Sequence, residues 1–553
     1  MKHHARPHKT GFTRRTLIRA GAGTAGLLAM PAILRLSARN AYADADPKSI
    51  VKVAPEVDLK VFDPIWTTAT ITTTYGYLVY DTLFSVNMKL EPKPQMVERY
   101  DADDDGLTHK FMLRDGLKWH DGTAVTAKDC VASIRRWAAR FGEAKIMMER
   151  AASLDATDDK TFVLKLKEPF GPVIQTLANP IQVAFMMPQK VAETDPFTQI
   201  TTKVGSGPFI FVEEEWKPGA RVVFRKNPDY KPRSEASDGY TGGKIVHVER
   251  VEWTVIPDAA VQSNALAAGE LDYLTNAVPD QVPQLRSNPN ITVGILDPLG
   301  WQLHIRMNSL NPPFNNAKAR QAVQMLVVSR QQDYLSATGY IGDMGKACLA
   351  PFVCGSPNEL KLGTERFQKY DPEKIKALFK EGGYNGEPIV LMDPTDQPSL
   401  HPQALVLAEQ LKEVGVNVDL QAMDWATLVG RRSIKAPPSQ DHGGWNIFPT
   451  AWPASAMMDP IINAPIDSSC DQKNWFGWPC DEKMQKLRLD YLAARHDDDR
   501  KKILEQIQTE FFEEAPYAYA GQYFPPIAYR KDRLKGVIGM VNPVFWNLEK
   551  FAA

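Results

Sequence analysis

Between Val79 and Trp137 the chain holds a strand, two turns and a capped amphipathic helix in close succession, and this stretch constrains the fold more than any other. Within it, Pro92 and Pro94 exclude a helix from the run Glu91 to Tyr100, because proline lacks an amide hydrogen and disfavours helical geometry in the residue it follows. Phe111 and Leu113 then alternate with Lys110 and Arg114, the pattern of a strand with one buried face, after an Asp105-Gly106 turn. Asp121-Gly122 makes a second turn. Thr126 caps the following helix, with Asp129 three residues on as a carboxylate variant of the capping box, and Cys130, Ile134, Trp137 and Ala138 fall on one face.

The phrase F-x-L-R-x-G-x-K-W-H-D-G-T-x-x-T-A-x-D from Phe111 to Asp129 resembles the signature of the periplasmic solute-binding proteins of peptide and nickel ABC importers, extracellular solute-binding protein family 5. Further phrases follow in the order seen in that family: Val204 to Tyr230, Val248 to Tyr273, Arg306 to Val323 and Glu513 to Arg530. The resemblance implies an α/β, two-lobed periplasmic binding protein fold of class II, the large three-domain peptide-binding type, with a hinge between the lobes. It implies a discontinuous first domain (44–90, 203–300 and 520–553), a small lobe (91–202) and a second lobe (301–519). Pro312-Pro313 reads as a rigid crossover between lobes.

The first 43 residues read as an export signal. Thr13 to Arg19 carries the twin-arginine pattern, Ala20 to Leu34 is weakly apolar and interrupted by Gly21, Gly23, Gly26 and Pro31, and Ala41-Tyr42-Ala43 is a cleavage site. Fifteen such residues are too few for a permanent span, which needs about 20. No cysteine lies near the cleavage site, so no lipid anchor is expected. Gly21 to Gly26 matches G-x-G-x-x-G, but no strand precedes it and cleavage removes it. Eight of the 65 basic residues leave with the signal, so 57 face 66 acids, a net charge of −9. A modestly acidic chain without basic runs argues against nucleic acid.

All five cysteines follow the signal. An oxidising compartment makes Cys348 with Cys354 and Cys470 with Cys480 the natural pairings, with Cys130 a buried free thiol; reduced buried thiols are the alternative. Asp101 to Gly106 has the start of a calcium loop, but Met112 stands where a bidentate Glu is needed, so it reads as a hairpin turn. Thr161 to Leu166 alternates and is expected to pair with the Thr108 strand. Pro388 to Ala422 reads as strand, helix, strand in a βαβ unit. Asp481 to Glu514 reads as helix with a stripe of Leu487, Leu489, Leu492, Ile503, Ile507 and Phe511 or Phe512, and Tyr517 to Arg530 as a returning strand.

Ligand-binding candidates come from the resemblance. The loop Trp66-Thr67-Thr68 falls at the lip of the family's cleft, so Thr67 and Thr68 are candidates, an ordinary turn being the alternative. In Trp301 to Asn308, Leu303, Ile305 and Met307 alternate with Gln302, His304, Arg306 and Asn308. The resemblance makes this strand cross between lobes, so His304 and Arg306 face either the cleft or solvent. Two Trp-containing segments match the family's contact regions: Met423-Asp424-Trp425 with Arg432 seven residues on, and Trp445 to Pro460 with Trp452. An aromatic wall beside a guanidinium suits an apolar body with an anionic end. Family peptide binders carry Trp-x-x-Asp here, the Asp holding the ligand ammonium; in this chain the equivalent is Ser455 or, with the longer loop, Ala456, and neither is a carboxylate. Peptides with free N-termini are therefore expected to bind weakly unless Asp424, Asp441 or Asp459 substitutes. A modified peptide, an opine-like compound, a sugar conjugate or another anionic solute fits Arg432 between Trp425 and Trp452 better.

The function implied is a periplasmic receptor of an ABC importer, monomeric and without a cofactor, that passes a small organic solute to the membrane permease. Two rivals are an exported enzyme, for which no G-x-S-x-G or H-E-x-x-H is present, and a carrier of a metal-chelate complex, the seven mature histidines being too scattered for a direct metal site.

Overall fold

A computed structural model describes residues 49–67, 69–438, 443–494 and 497–551. The export signal, Thr68 and Asp441 lie outside the described residues. No described helix is long and apolar enough to cross a membrane.

Two large sheets carry the architecture. The first has seven strands in the order Ile291–Ile295, Pro526–Arg530, Tyr273–Leu274, Ile50–Ala54, Arg250–Thr254, Arg221–Lys226, Phe209–Phe211. Ile50–Ala54 runs parallel to both of its neighbours and the remaining pairs are antiparallel. The second has six in the order Gly345–Lys346, Tyr517–Tyr523, Trp301–Met307, Ile447–Pro453, Ile389–Pro394, Val418–Met423. Ile389–Pro394 and Val418–Met423 pair in parallel around the helix His401–Glu413, the expected βαβ unit.

The chain passes from the first sheet to the second through Leu296 to Gly300, and back through Phe524-Pro525. Gly300 suits the first passage because its φ is +63° and a Cβ there would meet the Tyr523 carbonyl oxygen at 2.3 Å. Three expectations change here. Pro312-Pro313 lies beyond Trp301–Met307, on the second-sheet side, and does not bridge the sheets. Trp301–Met307 itself is wholly a second-sheet strand, flanked by Ile447–Pro453 and Tyr517–Tyr523. The expected boundary at 519/520 falls inside Tyr517–Tyr523, whose pairing holds it in the second sheet up to the passage.

A third, four-stranded antiparallel sheet orders Val97–Ala102, Thr108–Leu113, Thr161–Leu166, Ala151–Ala156, with Thr108–Met112 opposite Thr161–Lys165 as expected. Asp101 to Gly106 is a hairpin turn, closed by the Gly106 N–H donating to the Asp103 carbonyl, while the Asp103 carboxylate accepts from the Leu107 and Thr108 amides. Asp129 accepts from the Thr126 amide at 2.7 Å, completing the cap of Ala127–Ala138.

Both expected disulfides are formed and Cys130 is a buried free thiol. In the helix Glu482–Ala493 the inward stripe is Met484, Leu487, Arg488, Tyr491 and Leu492, while Leu489 is exposed. At about 100° per residue, Leu489 stands roughly 200° round from Leu487, so no single stripe holds both.

Candidate functional site

Between the passages and the far end of Ile447–Pro453 lies a cavity of about 380 Å³. Thr70, Thr73 and Asn542 form one side; Trp301, Trp425, Arg432, Trp452 and Trp475 form the other. The helix Trp425–Arg431 places Trp425 at its start and Arg432 at its C-cap, two turns apart on one side. The Arg432 Cζ sits 4.4 Å from the Phe476 ring centroid and 5.9 Å from those of Trp425 and Trp475. Trp452 packs edge-on against Trp475 at 5.2 Å. Among the described residues no carboxylate lines this wall, and the buried Nε of Arg432 and the Trp452 Nε1 both lack an acceptor. Donors and rings without acceptors make an apolar box that is open to an anion.

The sequence-predicted residues divide. Trp425, Arg432 and Trp452 are brought together on the cavity wall. Ser455 is buried one turn behind it, in Ala454–Ala456, with no partner for its Oγ and off the wall. Thr67 is also off the wall, its Oγ1 accepting from the Ala69 amide. The threonines that do face the cavities are Thr70, Thr73 and Thr74 on the next helix, Thr70–Val79. Their spacing of three and four was the available signal.

His304 and Arg306 face neither cleft nor solvent. The strand is covered on both sides, and its polar face is met by backbone: Arg306 donates to the carbonyls of Phe476, Pro465, Pro516 and Trp475, and Asn308 to that of Trp445. His304 stacks on Tyr517 at 4.2 Å and contacts the Gln302 amide oxygen, and burial holds it well below the usual histidine pKa. Arg306 thus anchors the loop that carries Trp475 and Phe476, and the Cys470–Cys480 bridge closes the same loop.

Of the acids expected to substitute for the missing loop carboxylate, Asp424 caps its helix, accepting from the Thr427 amide and hydroxyl. Asp459 accepts from the Ile461 amide and the Tyr491 hydroxyl, and burial raises its pKa. Neither lines the cavity. Away from it, Asp481, Glu510 and Glu514 come within 4.8 Å of one another, and Lys483 and Arg320 pair with Glu510 and Glu514.

Residues 91–474 match the family described as bacterial extracellular solute-binding proteins, family 5, middle region. The chain belongs to this family. A Sinorhizobium fredii protein named "Probable peptide ABC transporter periplasmic-binding protein y4tO" is 40% identical over 98% of this chain and 99% of its own length. The glutathione-binding protein GsiB of Shigella dysenteriae is 26% identical over 81% of this chain and 82% of its own. Among solved structures, the binding protein AgaA in complex with agropinic acid, from A. tumefaciens, superposes with a TM-score of 0.75, covering 91% of this chain and 99% of that one at 18% identity. This family 5 member is a periplasmic solute-binding protein of an ABC importer, and the family is one of transport rather than of catalysis.

Proposed function

We propose that this family 5 receptor captures a small organic solute with an apolar body and an anionic group, the anion at Arg432 and the body between Trp425, Trp452 and Trp475. The observation that carries this reading is a guanidinium enclosed by three rings with no carboxylate partner and an orphaned Nε. A half-buried cation among rings, without a counter-charge, is unfavourable, and a carboxylate arriving with the ligand would offset that penalty. Thr70 and Thr73 would meet the solute from the first-sheet side, so closure of the lobes completes the site.

The small lobe of this reading is 91–202, and the second lobe runs from 301 to the passage at Phe524. The mature protein is exported by the twin-arginine route, works as a monomer, and hands its solute to an ABC permease. Mass spectrometry of the solute that co-purifies with the mature protein, followed by calorimetry with Arg432→Gln, tests the site. A solute with an acidic group and a loss of about 100-fold in affinity are expected. A solute without an anionic group, bound equally by the variant, overturns the reading. Turnover of that solute by the purified protein would favour the enzyme alternative.

A further inference from the structure

A second cavity, of about 190 Å³, adjoins the first and shares Thr70, Trp301 and Val541 with it. It sits at the two passages between the sheets, and Asp297, on the Leu296 to Gly300 passage, is part of its wall. Asp297 is 7% exposed. Its Oδ1 accepts from the Leu299 amide at 3.0 Å, but its Oδ2 has no partner, and neither has the Nε1 of Trp253 on the same wall.

Three other deeply buried aspartates are neutralised, and Asp129, which has no cation in reach among the described residues, has both oxygens hydrogen-bonded to Thr126 and the Gln189 amide. Asp63 meets Arg136, Asp81 meets Lys244 and Asp272 meets Lys550, each at 2.7 Å. Asp297 meets no lysine, arginine or histidine within 4.0 Å among the described residues, and burial pushes its pKa up to about 7. Glu56, solvent-exposed on the same wall, also lacks a cationic partner among the described residues. One end of the joined cavities therefore presents orphaned donors, from Arg432 and Trp452, and no acid, while the other presents an orphaned carboxylate oxygen on a wall that also holds Glu56 and the Trp253 donor.

We infer that the cavity at the passages is a cation subsite, in which Asp297, with Glu56 on the same wall, receives an ammonium or guanidinium of the ligand. The inference rests on the Arg432 reading and narrows it: the solute is a zwitterion, its basic nitrogen at the passages and its acid in the aromatic box. The missing loop carboxylate at Ser455 is then replaced from another part of the fold. A cation bound here restores charge to a carboxylate that burial otherwise keeps partly protonated. Because Asp297 lies on the segment joining the sheets, the ion pair also ties ligand binding to the geometry of that segment.

The test uses the mature protein, freed of ligand and incubated with a bacterial small-molecule extract supplemented with di- and tripeptides, each in free and N-acetylated form. Native mass spectrometry reads what is retained. The expected result is retention of species with a basic nitrogen, free peptides favoured over acetylated ones by at least about 30-fold, and a preference that falls to about threefold or less in Asp297→Asn. Asparagine keeps the oxygen that accepts from Leu299, and a thermal melt checks the fold; if that variant does not fold, Glu56→Gln, expected to lose part of the preference, takes its place. Equal retention of acetylated species, a preference undiminished in the folded variant, or retention of nothing by the wild type overturns the inference. Acetylated species retained equally but released by Arg432→Gln would sink the cation subsite alone, whereas retention indifferent to Arg432→Gln would sink the reading beneath it.

Discussion

Arg306 and Arg432 both lie against one tryptophan, with their Cζ atoms 5.0 and 5.9 Å from the Trp475 centroid, and they do different work. Arg306 spends its donors on four backbone carbonyls from three chain segments, so its charge is used up in holding the loop. Arg432 lies among rings with its Nε unpartnered. The acids repeat the contrast: Asp81 and Asp272 have lysines, and Asp297 has none among the described residues. A charge satisfied from within is part of the scaffold, and one left unsatisfied on a cavity wall marks what must come from outside.

The strongest way to break this contrast is to exchange the two arginines' fates. Arg306→Met leaves the carbonyls of Pro465 and Pro516 buried without a donor, and chemical denaturation should show a loss of about 3–5 kcal/mol in stability. Arg432→Met should lower affinity for the co-purified solute by about 100-fold, with unfolding in the absence of solute changed by no more than about 0.5 kcal/mol. A large stability loss at 432 or a small one at 306 would erase the distinction.

The Cys470–Cys480 bridge sharpens it further, because it constrains the segment that carries Trp475 and Phe476. Replacing both cysteines with serine should cost about 2–3 kcal/mol in stability and should weaken solute binding as the wall loosens. Peptide mapping without reductant should recover the linked pair, and full affinity in the double variant would show that Arg306 alone suffices to hold the wall.

For the acids the predicted sign is unusual. The Asp297 pKa is raised from 3.8 to about 7 in the folded state, so the folded protein holds a proton that the unfolded chain has released between those values. Its contribution is complete below about pH 4 and is lost as pH rises through about 7, which makes the ionised form destabilising. Asp297→Asn should therefore raise the stability of ligand-free protein at pH 8 by roughly 1–3 kcal/mol and leave it little changed at pH 4, as melts at the two pH values would show. Equal effects at both pH values would mean that the group does not titrate there. The smallest expected effect is on shape: small-angle scattering should show a lower radius of gyration on saturation with solute, and an unchanged radius with confirmed binding would remove lobe closure from the scheme.

Local order was legible wherever neighbouring residues decide it. The Thr126-Asp129 cap, the Asp103 hairpin and the parallel pair around His401–Glu413 each depend on spacings of a few residues, and each formed as read. The two cysteine pairs span 6 and 10 residues and were legible for the same reason. Trp425 and Arg432 were legible through the resemblance to the family's contact region, and one short helix brings them to the same side. Alternation in Trp301–Met307 was read correctly as two faces, but what covers the polar face depends on loops 159 to 210 residues away along the chain, and no local pattern encodes that.

The sequence by itself determined the strand and helix grammar, which follows from short-range spacing, and, through the resemblance its motif phrases carry, the family and an aromatic wall with an arginine in it. Only the tertiary structure decided which charges are free. Arg306 and Arg432 look alike in the sequence, as do Asp81 and Asp297, and their roles separate only when backbone carbonyls and lysines from remote segments arrive at one member of each pair and not at the other. Whether a buried charge is neutralised depends on three-dimensional proximity, which long-range packing creates and local periodicity cannot express.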